Sequence, residues 1–131
     1  MTSEIADRFM QTLQQIEASG DVELLVEMFA EDAEATNLAM VEPLKGKDGV
    51  RRFWQKYLSV FDRIHSDFTH VTADSNTAVM EWRSQGTLSN GEDVHYRGVS
   101  IIEIDNGLVQ AFRTYYDSAV FLPTGAKQAQ R

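Results

Sequence analysis

The sequence predicts an α+β fold, three N-terminal helices packed on a curved antiparallel sheet. Up to Phe61 apolar residues recur at helical spacing, and from Ile64 onward they recur at a spacing of two with turn signals at close intervals. Each helix also has only one apolar stripe, so the helices must cover one face of the sheet. A strongly curved sheet wrapped on helices leaves a conical cavity. Its other face is free to pair with a second copy of the chain, so a homodimer through the sheet is expected.

Ser3 is the expected N-cap of the first helix, whose stripe is Ile5, Phe9, Leu13 and Ile16; Gly20 ends it. Asp21 can cap the second, where Val22, Leu25, Met28 and Phe29 form the stripe and Asp21 and Glu23 suit the positive end of the helix dipole. A short strand is expected from Glu34 to Leu38, then a loop from Met40 to Lys47 containing Pro43 and Gly46. Asp48 or Gly49 opens the third helix, with Val50, Phe53, Trp54, Tyr57, Leu58 and Phe61 on its buried side. Those aromatics fill a core or form one wall of an apolar pocket.

Strands follow over 64–73, 77–88, 93–104 and 108–119, separated by Asp74-Ser75-Asn76, Ser89-Asn90-Gly91 and Asp105-Asn106-Gly107. Successive strands joined by short turns make an antiparallel meander. Pro123 and Gly125 end the expected order, giving a single domain over 1–125, and Ala126 to Arg131 is expected to be a flexible tail.

With 131 residues the chain is long enough to bury a core without staples. It has no cysteine, which excludes disulfides, thiolate metal sites and a cysteine nucleophile. No His-x-His or His-x-x-x-His pair occurs, so neither a metal nor another cofactor is expected. A formal charge of −8, spread along the chain, argues against tracking phosphates and hence against nucleic acid. Met1 to Gly20 lacks the pattern of a secretory leader, and no stretch has the length of a membrane span, so a cytoplasmic protein without membrane contact is expected. The expected partner is a small apolar molecule.

Chemistry concentrates between Arg97 and Phe121. Val99, Ile101 and Glu103 fall on one strand face, and Gly98, Ser100, Ile102 and Ile104 on the other. In the next strand Val109, Ala111, Arg113, Tyr115 and Asp117 share a face. Asp117 is then paired with Arg113, solvated as a strand-end acid at the rim of the sheet, or a base poised by burial, since a carboxylate in an apolar cavity has a raised pKa. His95 and Arg97 share a face beside Glu81 and Arg83, which reads first as a cross-strand charge ladder. His65 and His70, five apart, are expected on opposite faces. Trp54, Tyr57, Trp82 and Tyr115 line a pocket or fill the core.

Three segments carry a resemblance: SGDVELLVEMFAEDA (Ser19 to Ala33), EPLKGKDGVRRFW (Glu42 to Trp54) and RGVSIIEIDNGLVQAFRTYYD (Arg97 to Asp117). With their order of elements they resemble the cone-shaped superfamily of nuclear transport factor 2, ketosteroid isomerase, the SnoaL polyketide cyclases and limonene-epoxide hydrolase. The resemblance implies a small-ligand hydrolase, cyclase or isomerase with Asp117 as general base. Tyr115 and Asn37 would orient by hydrogen bonding, Arg83 or His95 would give electrostatic support, and Trp54, Tyr57 and Trp82 would line the pocket. The middle-strand Arg-x-Asp pair of the epoxide hydrolases has its nearest counterpart here in Arg83-Ser84-Gln85, which departs from it by ending in Gln, and Asn37, which has no titratable proton, stands where the isomerases place their base. The alternative is a non-catalytic binding or dimerisation module in which Asp117 and Arg113 simply pair.

Overall fold

The computed structural model describes residues 4–122. The apolar stripe of the first segment forms helix α1 (Glu4–Ser19), burying Ala6, Phe9, Leu13 and Ile16. Gly20 takes φ 79° and returns its N–H to the Ile16 carbonyl at 2.8 Å, which stops the helix. The second helix is a single turn, α2 (Glu23–Val26), shorter than its stripe implied. Met28 and Phe29 are buried as expected but lie beyond the helix: Val109 donates its N–H to the Met28 carbonyl at 2.9 Å, and Phe29 opens a strand in register with Val109. Strand β1 therefore runs Phe29–Asn37. A register shift between Phe29 and Glu34 interrupts its alternation, which is why the sequence signals it weakly.

The loop that follows contains a two-residue strand, β2 (Leu44–Lys45), paired antiparallel to β1. Helix α3 (Gly46–Ser59) starts slightly earlier than the sequence indicated and buries Val50, Phe53 and Trp54. Asp48 in its first turn and Lys56 in its last both suit the helix dipole. Arg51 ties α3 to α2 by reaching Glu23 at 2.9 Å, and Asp48, one turn earlier in α3, holds the same guanidinium at 2.6 Å. The Arg51 guanidinium holds the Glu23 carboxyl below its ordinary pKa.

The meander is present as β3 (Phe61–Ala73), β4 (Thr77–Leu88), β5 (Asp93–Asp105) and β6 (Leu108–Tyr116). Phe61, expected on α3, instead opens β3 opposite Leu88. The six strands lie in the order β2-β1-β6-β5-β4-β3. One pairing departs from the all-antiparallel expectation: β1 lies parallel to β6. A second departure concerns His65 and His70. A bulge between Phe68 and His70 shifts the alternation, so both histidines are exposed on the outer face; His65 faces Asp67 at 3.0 Å and His70 faces Glu81 at 2.9 Å. A third concerns the chain end: β6 stops at Tyr116, and a 3₁₀ turn (Ser118–Phe121) occupies what was expected as strand. Ser3, Pro123, Gly125 and the C-terminal tail lie outside the described residues.

Two apolar clusters fill the space between helices and sheet. In the larger, Phe9 stacks on Phe112 with ring centroids 5.7 Å apart, and Trp54 meets Phe112 at 4.9 Å. The smaller joins Phe61, Ile64, Trp82, Leu88, Val94 and Tyr96 toward the other end of the sheet. Gly98 makes the second cluster possible. A Cβ there would stand 2.6 Å from the Trp82 ring and would also strike the Tyr115 carbonyl.

Candidate functional site

Where the two clusters meet, their rings leave a cavity of about 360 Å³. Phe53, Trp54 and Phe112 reach it from one cluster, and Phe61, Trp82 and Tyr96 from the other. Lining residues that reach solvent, Asn37, Met40, Lys56, Val60, Ser118 and Phe121, mark its open end. The inner faces of β4, β5 and β6 supply polar groups because their alternation places Ser84, Ser100 and Thr114 among apolar residues, each buried.

Those hydroxyls are organised in two sets. In one, Trp82 Nε1 donates to Ser100 Oγ at 2.8 Å, and Ser100 shares a hydrogen bond of 2.9 Å with Thr114. The other set gathers around Glu17 of α1. Its Oε1 accepts the Ser66 N–H at 2.8 Å, and its Oε2 accepts the hydroxyls of Tyr57 and Ser66, both at 2.6 Å. Ser66 continues to Ser84 at 2.6 Å, and Tyr96 stands with Tyr57 and Ser84 on the cavity wall. Gln14 holds the Ser66 carbonyl at 3.0 Å, so α1 clamps β3 at this residue from two positions.

Three phenols face the cavity, and all are held above the ordinary tyrosine pKa. Burial is the main cause for Tyr57, with the neighbouring Tyr96 and the Glu17 carboxylate adding to it. Burial also raises Tyr96 and Tyr116. At neutral pH the cavity therefore presents neutral phenols, and its wall suits an uncharged guest.

The residues singled out from sequence divide between two places. Asn37, Trp54, Tyr57 and Trp82 all line the cavity. Asn37 also uses its Oδ1 to hold the Ala39 N–H at 2.9 Å, shaping the open end. Asp117, Arg83 and His95 come together elsewhere, in an open depression shared with Asp67 and Arg97. Asp117 is exposed, and its carboxylate caps the 3₁₀ turn by accepting the Ala119 N–H at 3.0 Å. Arg113 does not pair with it; the guanidinium meets Glu103 across the strands. Tyr115 stands on the outer face of β6, 40% exposed and beside Arg113. The charge ladder has the register Asp67, Arg83, Arg97 across β3, β4 and β5.

Glu17, Ser66, Ser84 and Tyr96 were not singled out as site residues from the sequence. Their signal is a polar residue at an apolar period. Glu17 follows Leu13 by four on the buried stripe of α1, and Ser84 follows Met80 and Trp82 on the inner face of β4. Among the described residues no group of three or more His, Asp or Glu side chains is placed to hold a metal ion, and no helix is long and apolar enough to cross a membrane.

Comparisons with known proteins agree with this architecture. The sequence model of the SnoaL-like domain matches residues 6–112. No curated protein matches the sequence. Among solved structures, a nuclear transport factor 2-like protein from Anabaena variabilis superposes with a TM-score of 0.78 at 22% identity, over 88% of each chain. A protein from Rhodopseudomonas palustris, provisionally named an isomerase, gives 0.77 at 17% identity, covering 89% of this chain and 92% of that one. A protein from Jannaschia sp. CCS1, provisionally named a SnoaL-like polyketide cyclase, gives 0.74 at 16%, covering 94% of this chain and 98% of that one. At such identities the likeness concerns the fold. With the domain model spanning most of its 131 residues, the chain belongs to the SnoaL-like domain family, and its fold is that of the nuclear transport factor 2-like proteins.

Proposed function

We propose that this SnoaL-like domain binds a small, mainly apolar, uncharged molecule in its cavity. The observation that carries the reading is the unfilled volume of about 360 Å³ between two aromatic clusters. That volume lies in the range of small-molecule sites, and its walls combine apolar rings with a few fixed hydroxyls, the usual makeup of such sites. Trp54, Tyr57 and Trp82 wall the space and leave it open. A packed, non-catalytic module would have used those rings to close it.

A thermal-shift screen against apolar epoxides, steroids, lactones and terpenes tests the reading. A ligand bound only to the native state at a hundred times its dissociation constant adds about 2.7 kcal/mol. In a domain of this size that raises the midpoint by roughly 5 °C or more. No shift with any class would count against a ligand site.

A second reading, catalysis with Asp117 as general base, is favoured by one observation. Asp117, Arg83 and His95 share a depression, and Tyr116 and Ser118, the chain neighbours of Asp117, line the cavity. Hydrolysis, cyclisation and isomerisation all fit a base placed at the edge of an apolar pocket. For assembly, we propose a homodimer through the outer sheet face. There Val79 stands opposite Ile101 and Val99 opposite Tyr115, a row of apolar groups that reaches solvent.

A further inference from the structure

One line across the inner face of the sheet carries polar side chains on three neighbouring strands. Ser100 of β5 stands opposite Thr114 of β6, and Thr114 stands in register with Asn37 of β1. All three line the cavity, and Ser100 and Thr114 are only 4% and 8% exposed. Their hydrogen bonds leave donors over. Trp82 Nε1, which only donates, gives its proton to Ser100 at 2.8 Å, and the two hydroxyls share one bond of 2.9 Å. Three protons serve two bonds, so one hydroxyl proton has no acceptor among the described residues. Asn37 turns its Oδ1 to the Ala39 N–H, which fixes the amide's orientation and leaves its Nδ2 without an acceptor among those residues. Trp54, whose ring meets Phe112 two residues before Thr114, adds a buried Nε1 with no partner among them. This end of the cavity holds more donors than acceptors.

We infer that Thr114 and Asn37 form a two-donor subsite for a carbonyl oxygen of the guest, a ketone or lactone in preference to a plain hydrocarbon. The inference rests on the proposed binding in this cavity and adds the chemical class of the guest. Two donors about 2.9 Å from one carbonyl oxygen, each along one of its lone pairs, stand about 5 Å from each other. That is the spacing of neighbouring strands, and Thr114 and Asn37 occupy neighbouring strands at one register position. With a carbonyl there, Ser100 donates to Thr114 and Thr114 to the guest. Trp82, Ser100 and Thr114 then make a chain in which every proton runs one way. Each bond in such a chain polarises the next, which strengthens the last. Ser100 does not substitute for Thr114, because it lies two strands from Asn37, about 10 Å, too far for one oxygen to meet both.

The test measures dissociation constants by calorimetry at pH 8 for indane and 1-indanone, two probes of nearly one shape. The expected result is 1-indanone binding ~10-fold tighter, the net worth of a well-made pair of buried hydrogen bonds. Its carbonyl band in infrared difference spectra should lie at lower frequency than in hexane. Asn37→Asp keeps the oxygen that holds Ala39 and replaces the amide donors with a second acceptor. Thr114→Val keeps the shape and removes the hydroxyl beside Asn37. In each variant the preference should shrink to about threefold or less, and in Thr114→Val the band should move back toward its hexane position. Asn37 is half-buried at the open end, so Asn37→Asp decides if Thr114→Val does not fold. 1-Indanone binding no tighter than indane, a band at its hexane position, or a preference unmoved in the folded variants would overturn the inference while leaving the binding site intact. Absence of binding by both probes would remove the binding reading itself, and the inference with it.

Discussion

At the residue scale, most of the distinctive chemistry lies in side chains that combine burial with a hydrogen bond. Tyr57, Tyr96 and Tyr116 keep their protons above the usual phenol range because the folded cavity excludes water from them. In the unfolded chain they ionise near pH 10. Above that pH the unfolded state holds fewer protons than the native state, so stability should fall as pH rises. Urea midpoints at pH 8 and pH 10.5 check this, with the lower midpoint expected at pH 10.5. Glu17→Ala should cost about 1–3 kcal/mol, since it strands the Ser66 N–H in a part-buried position. Asp117 separates capping from catalysis. Asp117→Ala removes the cap of the 3₁₀ turn and should cost about 1 kcal/mol, whereas Asp117→Asn keeps an acceptor and should barely move the melting midpoint. If Asp117 is the base, the Asn variant abolishes turnover on any substrate the ligand screen supplies while keeping its stability.

At the element scale, the cavity depends on how closely neighbouring strands and rings approach. The Trp82 indole lies over Gly98, which offers no side chain to resist it. Gly98→Ala should push the ring away or part β5 from β6, costing about 1–3 kcal/mol by overpacking. Tryptophan emission should shift with the urea midpoint, because Trp82 would lose its bond to Ser100. Phe112 joins α1, α3 and β6 through Phe9, Phe53 and Trp54, so Phe112→Ala should cost about 3–5 kcal/mol. The elements themselves were largely legible. The α1 stripe, the α3 aromatics and the three hairpins of the meander each rest on a local pattern that tertiary contacts reinforce. The misread edges sit where local signals conflict. Phe29 continues a helical stripe yet pairs with Val109, and Phe61 sits at helical spacing from Tyr57 yet pairs with Leu88.

At the scale of the whole molecule, the sheet has a clothed face and a bare one. Helices cover the inner side, while Val79, Ile101 and Tyr115 remain on the outer side for the proposed second copy. Ile101→Glu should convert the dimer to a monomer in light scattering while leaving the helical circular dichroism unchanged; a wild-type monomer would remove the proposal. Sequence alone determined the α+β class, the helical cover and the meander, because period and turn chemistry are local properties of the chain. It also pointed to Trp54, Tyr57 and Trp82 on the cavity wall, since bulky rings on an apolar stripe must face inward, while Asn37 came from the family resemblance. Only the tertiary structure decided that β1 joins β6 in parallel, that Asp117 caps a turn beside the cavity, and that Glu17 anchors the hydroxyls within it. The first and the last are contacts between residues tens of positions apart, and the turn cap joins residues two apart where the strand ends. Their register depends on a bulge, a strand end and a helix docking angle that no local pattern encodes.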